Sequence, residues 1–150
     1  MGRLVVFSLI LLVGAGCASS PPTPSETPRA PYSVPTPFVV PSPIAEEIAR
    51  DVWNDGSRTT TGGKVDLQGE RWVASGQCVG GGDLAATYRL SVDGKEVSSG
   101  TIICSTGITY TNSAIQPTRG KHDVRVVFGP EVENALSAYV RVIPERLAGQ

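Results

Sequence analysis

His122 is the single histidine of the chain, and the cysteines are Cys17, Cys78 and Cys104. These are the side chains best suited to acid–base, nucleophilic or metal chemistry. His122 stands in Gly120-Lys121-His122-Asp123-Val124-Arg125-Val126, at the start of an alternating run. A strand-edge residue beside a turn explains it; a catalytic base or a ligand is the competing reading. With no second histidine, the usual zinc sites lack ligands. No G-x-S-x-G nucleophile turn occurs, and Ser75-Gly76 falls within an expected strand. Gly80-Gly81-Gly82 is followed by a strand pattern, whereas a phosphate cradle opens a helix. Glu131 and Glu133, and likewise Asp51 and Asp55, read as solvated surface charges. The chain is therefore expected to have no cofactor, no metal and no enzymatic activity.

Aromatic rings are the remaining candidates. Trp72 shares an alternating face with Ala74 and Cys78, and Tyr88 belongs to an apolar face, so both read as core, with Trp72 against the Cys78 sulfur. Trp53, Tyr110 and Tyr139, together with His122, are the candidate ligand-binding residues. Rings exposed on a β-sheet face stack on the apolar C–H faces of sugars.

The elements that position these residues begin with an anchor. Arg3 precedes an apolar run, 4–17, LVVFSLILLVGAGC. The run is short for a membrane span, which needs about 20 apolar residues, and it has the build of a secretory signal peptide. Its ending, Gly14-Ala15-Gly16-Cys17, resembles the lipobox of bacterial lipoproteins, with Gly14 where that box usually has Leu. The resemblance implies cleavage before Cys17, diacylation of its thiol, and a membrane-anchored, extracytoplasmic protein. With Cys17 lipidated, Cys78 and Cys104 remain as a pair, and export to an oxidising compartment makes a disulfide the default.

Residues 18–43 hold nine of the 12 prolines, interleaved with Ser and Thr. Such a segment buries too little apolar surface to fold and leans to extended polyproline II, with a reach of at most roughly 80 Å. It is expected to be a disordered tether, and its composition permits O-glycosylation. From 44 to 56 the pattern predicts one short helix, with Pro43 at its start, Ile44, Ile48 and Val52 as its stripe, and Gly56 closing it. A polar loop follows at 57–63. Beyond it the period changes to two, which predicts seven strands at 64–68, 71–78, 84–92, 97–104, 108–115, 122–128 and 138–143. An all-β antiparallel sandwich, immunoglobulin-like or jelly-roll-like, is the expected fold of 44–150. In the hairpin at Asp93-Gly94, a three-residue loop with Gly94 in a bulge turns Ile102 and Cys104 inward; a two-residue turn would expose them.

The 13 basic and 14 acidic side chains argue against nucleic acid, which needs a basic face. The layout of lipobox, Pro/Thr tether and one Cys–Cys β-domain resembles small surface lipoproteins of actinobacteria. The G-x-H-x-V-x-V run at 120–126 is also similar to that of carbohydrate-binding jelly rolls. The leading expectation is a non-catalytic lipoprotein, held to the membrane by its lipid, whose sandwich binds a protein or envelope component. A carbohydrate-binding module using exposed rings is the alternative, and a hydrolase comes last.

Overall fold

The computed structural model describes residues 38–104, 109–116 and 118–148, and Cys17 lies outside them. The described residues form nine antiparallel strands: β1 (Ala49–Asn54), β2 (Ser57–Thr61), β3 (Gly63–Gln68), β4 (Trp72–Val79), β5 (Ala85–Val92), β6 (Lys95–Ile103), β7 (Tyr110–Ile115), β8 (Arg119–Phe128) and β9 (Ser137–Pro144). They pair as a five-stranded sheet, β2-β1-β9-β4-β7, and a four-stranded sheet, β3-β8-β5-β6. The antiparallel sandwich expected from the alternation is therefore present. Its core joins Ala86, Leu90, Val124 and Val126 of one sheet to Ala74, Val140 and Val142 of the other.

The expected helix is not there. Residues 49–61 form the β1–β2 hairpin, which adds two strands to the expected seven and replaces the polar loop. Asn54 pairs with Ser57 across Asp55-Gly56, and both turn residues have positive φ, 48° and 75°. That backbone matches the natural twist of a hairpin, and Asp-Gly is a preferred sequence for it. Of Ile44, Ile48 and Val52 only Val52 lies in a strand; Ile44 and Ile48 precede β1, with a turn at Ala45-Glu46 between them.

The β5–β6 hairpin has the expected inward face for a different reason. Val92 pairs with Lys95, so Asp93-Gly94 is a two-residue turn, with φ of 52° and 78°. The register slips further in, where Leu90 faces Ser98 and Ser91 faces Glu96, leaving Val97 as the extra residue. The bulge thus sits at Val97 rather than at Gly94. It puts Ile102 wholly inside and leaves Ile103 47 % exposed.

Cys78 and Cys104 form the expected disulfide, which ties the end of β4 to the residue following β6 and so links the two sheets. Gly80 N–H donates to the Cys104 carbonyl at 2.7 Å, and Cys104 N–H donates to that of Leu84 at 2.9 Å. A Cβ at Gly80 would stand 2.8 Å from Leu84 Cδ2 and 3.3 Å from Cys104 Cβ, so the chain passes close to the bond there. Trp72 is core, as expected, but not beside the sulfur. Six steps along β4 separate it from Cys78, about 20 Å of strand.

Candidate functional site

The end of the sandwich formed by the β5–β6 turn, the end of β7 and the start of β8 brings His122 and Asp93 together. His122 lies on the inward side of β8 by alternation with Val124 and Val126. Its Nδ1 is 2.8 Å from Asp93 Oδ2, and its Nε2 is 3.3 Å from the Arg119 carbonyl. Asp93 is held in turn: its Oδ1 accepts from Asp123 N–H at 2.9 Å, and its own N–H donates to the Asp123 carbonyl at 2.8 Å. Asp93 thereby pins the hairpin turn to β8.

The electrostatics follow from those contacts. The hydrogen bond to Asp93, and then that to the Arg119 carbonyl, push the His122 pKa above its ordinary value. The hydrogen bonds from His122 and from Asp123 N–H hold Asp93 below the usual carboxylate range. Both ring nitrogens face oxygen acceptors, so the imidazolium form, which donates twice, fits the site. A general base needs a free lone pair directed at substrate. The arrangement makes His122 a latch between the β5–β6 turn and β8.

Beside the latch lies a cleft of about 310 Å³ with an apolar floor of Val92, Val97, Ala114 and Ile115; Asp93 and His122 stand at its rim. Val97, the bulged residue, is 45 % exposed there. The bulge places an apolar side chain on the wet edge of β6. A larger cleft of about 450 Å³ lies over Thr87, Arg89, Glu96, Ser99 and Thr101, on the other face of the same hairpin. It is polar throughout its surface side chains, with Arg89 and Glu96 3.9 Å apart and both well exposed. The smaller cleft combines apolar floor and polar rim, the composition of a binding site. Among the described residues, no group of three His, Cys, Asp or Glu side chains is placed to hold a metal. Nor is any helix among them long and apolar enough to cross a membrane.

The ring candidates do not join this site. Tyr139 is buried, 3 % exposed, on the outer face of the five-stranded sheet. Trp53 is half-buried, packs against the core and donates its Nε1–H to the Ala135 carbonyl at 3.0 Å. Tyr110 is half-buried against the core on edge strand β7. All seven described aromatic residues are buried or half-buried.

Two acids that read as surface charges are structural. Glu131 accepts from Thr87 N–H at 2.7 Å and also from the Thr87 hydroxyl. Asp51 is wholly buried. Its carboxylate accepts from Arg58 at 2.6 Å, from the Thr60 hydroxyl at 2.7 Å and from Phe128 N–H at 2.7 Å. The correction has a clear cause: placed on a helix, Asp51 faces solvent, whereas in β1 it alternates inward with Ala49 and Trp53. Nothing local marks Asp93 as the partner of His122, because 29 residues separate them. The one signal is its place in a turn that has to land beside some strand.

No family model matches the chain, and no curated protein matches it.

Proposed function

We propose that this protein is a non-catalytic extracytoplasmic lipoprotein, anchored through a lipid on Cys17, whose sandwich binds a protein or another envelope component. The observation that carries the binding reading is the apolar cleft at the His122 end, with Val97 45 % exposed on edge strand β6. An edge strand beside an apolar cleft offers backbone groups and a side-chain pocket together, the combination by which extended peptides are held. Engagement of both His122 nitrogens supports a binding role over acid–base catalysis. The burial of Tyr139 and the partial burial of Trp53 and Tyr110 leave glycan stacking without an exposed ring among the described residues. The anchor rests on the run ending at Gly14-Ala15-Gly16-Cys17, and the Cys78–Cys104 disulfide suits an exported domain.

A photo-crosslinking amino acid at Val97, in protein exported by whole cells, tests the binding reading. The expected result is a discrete protein-sized adduct that is lost when Ile115→Asp alters the cleft floor. Adducts equal in yield from Val97 and from exposed Lys64 on the opposite edge would overturn it. Detergent-phase partitioning and intact mass test the anchor; an aqueous protein with an unmodified Cys17 thiol would remove it.

A further inference from the structure

Four buried apolar side chains, Val73, Val79, Tyr139 and Ile143, lie outside the inter-sheet core cluster. They share the outer face of the five-stranded sheet. In its register Ile143 pairs with Val73, Tyr139 with Gln77 on one side and Val52 on the other, and Arg141 with Ser75 and Arg50. Strands β4 and β9 are thus buried on both faces, and a sandwich has only one inner face to bury. Something covers the outer one.

The described chain identifies what begins to do so. The Phe38 ring packs on Tyr139, with centroids 5.7 Å apart. The guanidinium groups of Arg50 and Arg141 lie 5.9 Å and 5.8 Å from the same tyrosine ring. Arg50 donates to the Pro41 carbonyl and pairs with Glu47 at 3.2 Å, with both side chains almost entirely buried. Burial pushes the Glu47 carboxyl upward, and the charge and hydrogen bond of Arg50 oppose the shift. Two guanidiniums against one carboxylate leave an excess of donors. Arg141 Nε is buried with no acceptor among the described residues.

We propose that this face is a seat for an extended segment of the same chain, residues 38–41, FVVP, at the end of the proline-rich stretch, with Phe38 as its anchor. A polyproline II strand makes no internal hydrogen bonds, so its carbonyls are free to accept. That supplies what Arg50 takes from Pro41. Its low conformational entropy suits docking on an aromatic surface flanked by donors, as in other proline-reading grooves. The folded unit therefore starts upstream of Pro43.

Thermolysin cleavage before Val39 and Val40, in the exported protein, tests the seat. Cleavage of a docked segment tracks how often it opens. Phe38→Ser and Tyr139→Leu should each raise the cleavage rate about tenfold, with the core disulfide intact and near-UV dichroism preserved. Phe38 lies outside both sheets, so its variant carries the test even if Tyr139→Leu fails to fold. Equal rates in wild type and Phe38→Ser would overturn the proposal. Protection that grows with protein concentration would also overturn it, by assigning the seat to a second copy.

Discussion

Two hairpins of this sandwich turn on the same dipeptide and are fastened to opposite ends of β8 by an aspartate. In β1–β2 the turn is Asp55-Gly56, and Asp51 reaches across the sandwich to Phe128 N–H. In β5–β6 the turn is Asp93-Gly94, and Asp93 itself holds Asp123 N–H and His122. The contacts are alike in kind and differ in depth. Asp51 is wholly buried between three donors, while the Asp93 side chain is 57 % exposed. A carboxylate out of water leaves expensive orphans when removed, and an exposed one is replaced by solvent. The same device is thus a structural bolt in one hairpin and a titratable latch in the other. The second hairpin has its strong fastening in the disulfide instead.

Breaking that covalent fastening should have the largest effect. Cys78→Ala with Cys104→Ala opens a bond between residues 26 apart. Chain entropy predicts a loss of about 3.5 kcal/mol, read from the urea midpoint. A loss no greater than that of a surface substitution would show that the latch alone holds β5–β6.

Asp51→Ala comes next. It leaves Phe128 N–H without its acceptor and takes one partner from Arg58, at a cost of about 3 kcal/mol, near the lower end for a broken buried pair because Arg58 keeps the Phe128 carbonyl and a solvent-facing side. Asp55→Ala, on the exposed turn next to it, supplies the contrast. Equal denaturation midpoints for the two variants would contradict the bolt.

The glycines sharpen the comparison at the turns. Neither Gly56 nor Gly94 has a neighbour within 4 Å of where a Cβ would be, and both have left-handed φ. Gly56→Ala and Gly94→Ala should therefore cost the same, about 1–2 kcal/mol each, from the backbone alone. Unequal thermal shifts would mean that the turns differ in solution.

The smallest effect is the most diagnostic. His122 has a raised pKa, so its contribution is complete below its ordinary 6.5 and is lost as pH rises through the folded value. Asp93 has a lowered pKa, so its contribution is complete above its ordinary 3.8 and is lost as pH falls through the folded value. The latch is fullest between those two pH values. A thermal-midpoint series from pH 5 to pH 9 should slope downward in wild type and flatten in Asp93→Asn. Superimposable curves would remove the latch.

The alternation of β5 and β8 is plain in the residues themselves, because each strand carries one apolar inward row and one wetter outward row. The pairing of Cys78 with Cys104 is the one expected from the sequence. The β1–β2 hairpin is not, although its turn dipeptide is that of β5–β6. β1 lies between β2 and β9, with Arg50 covered on one face and Asp51 on the other, so it lacks the wet row that marks a strand. The bulge falls on the expected hairpin but away from the turn; its place, Val97, depends on what β5 needs inside rather than on any bulge-forming residue.

What the sequence determined by itself was local: which runs alternate and where glycine permits a left-handed turn. Each follows from neighbours in the chain. What only the tertiary structure decided was which polar groups are removed from water. Asp51 meets an N–H 77 residues away, His122 meets a carboxylate 29 residues away, and Phe38 meets Tyr139 across the length of the domain. Burial is a property of the assembled sheets, and no run of residues carries it before its partners arrive.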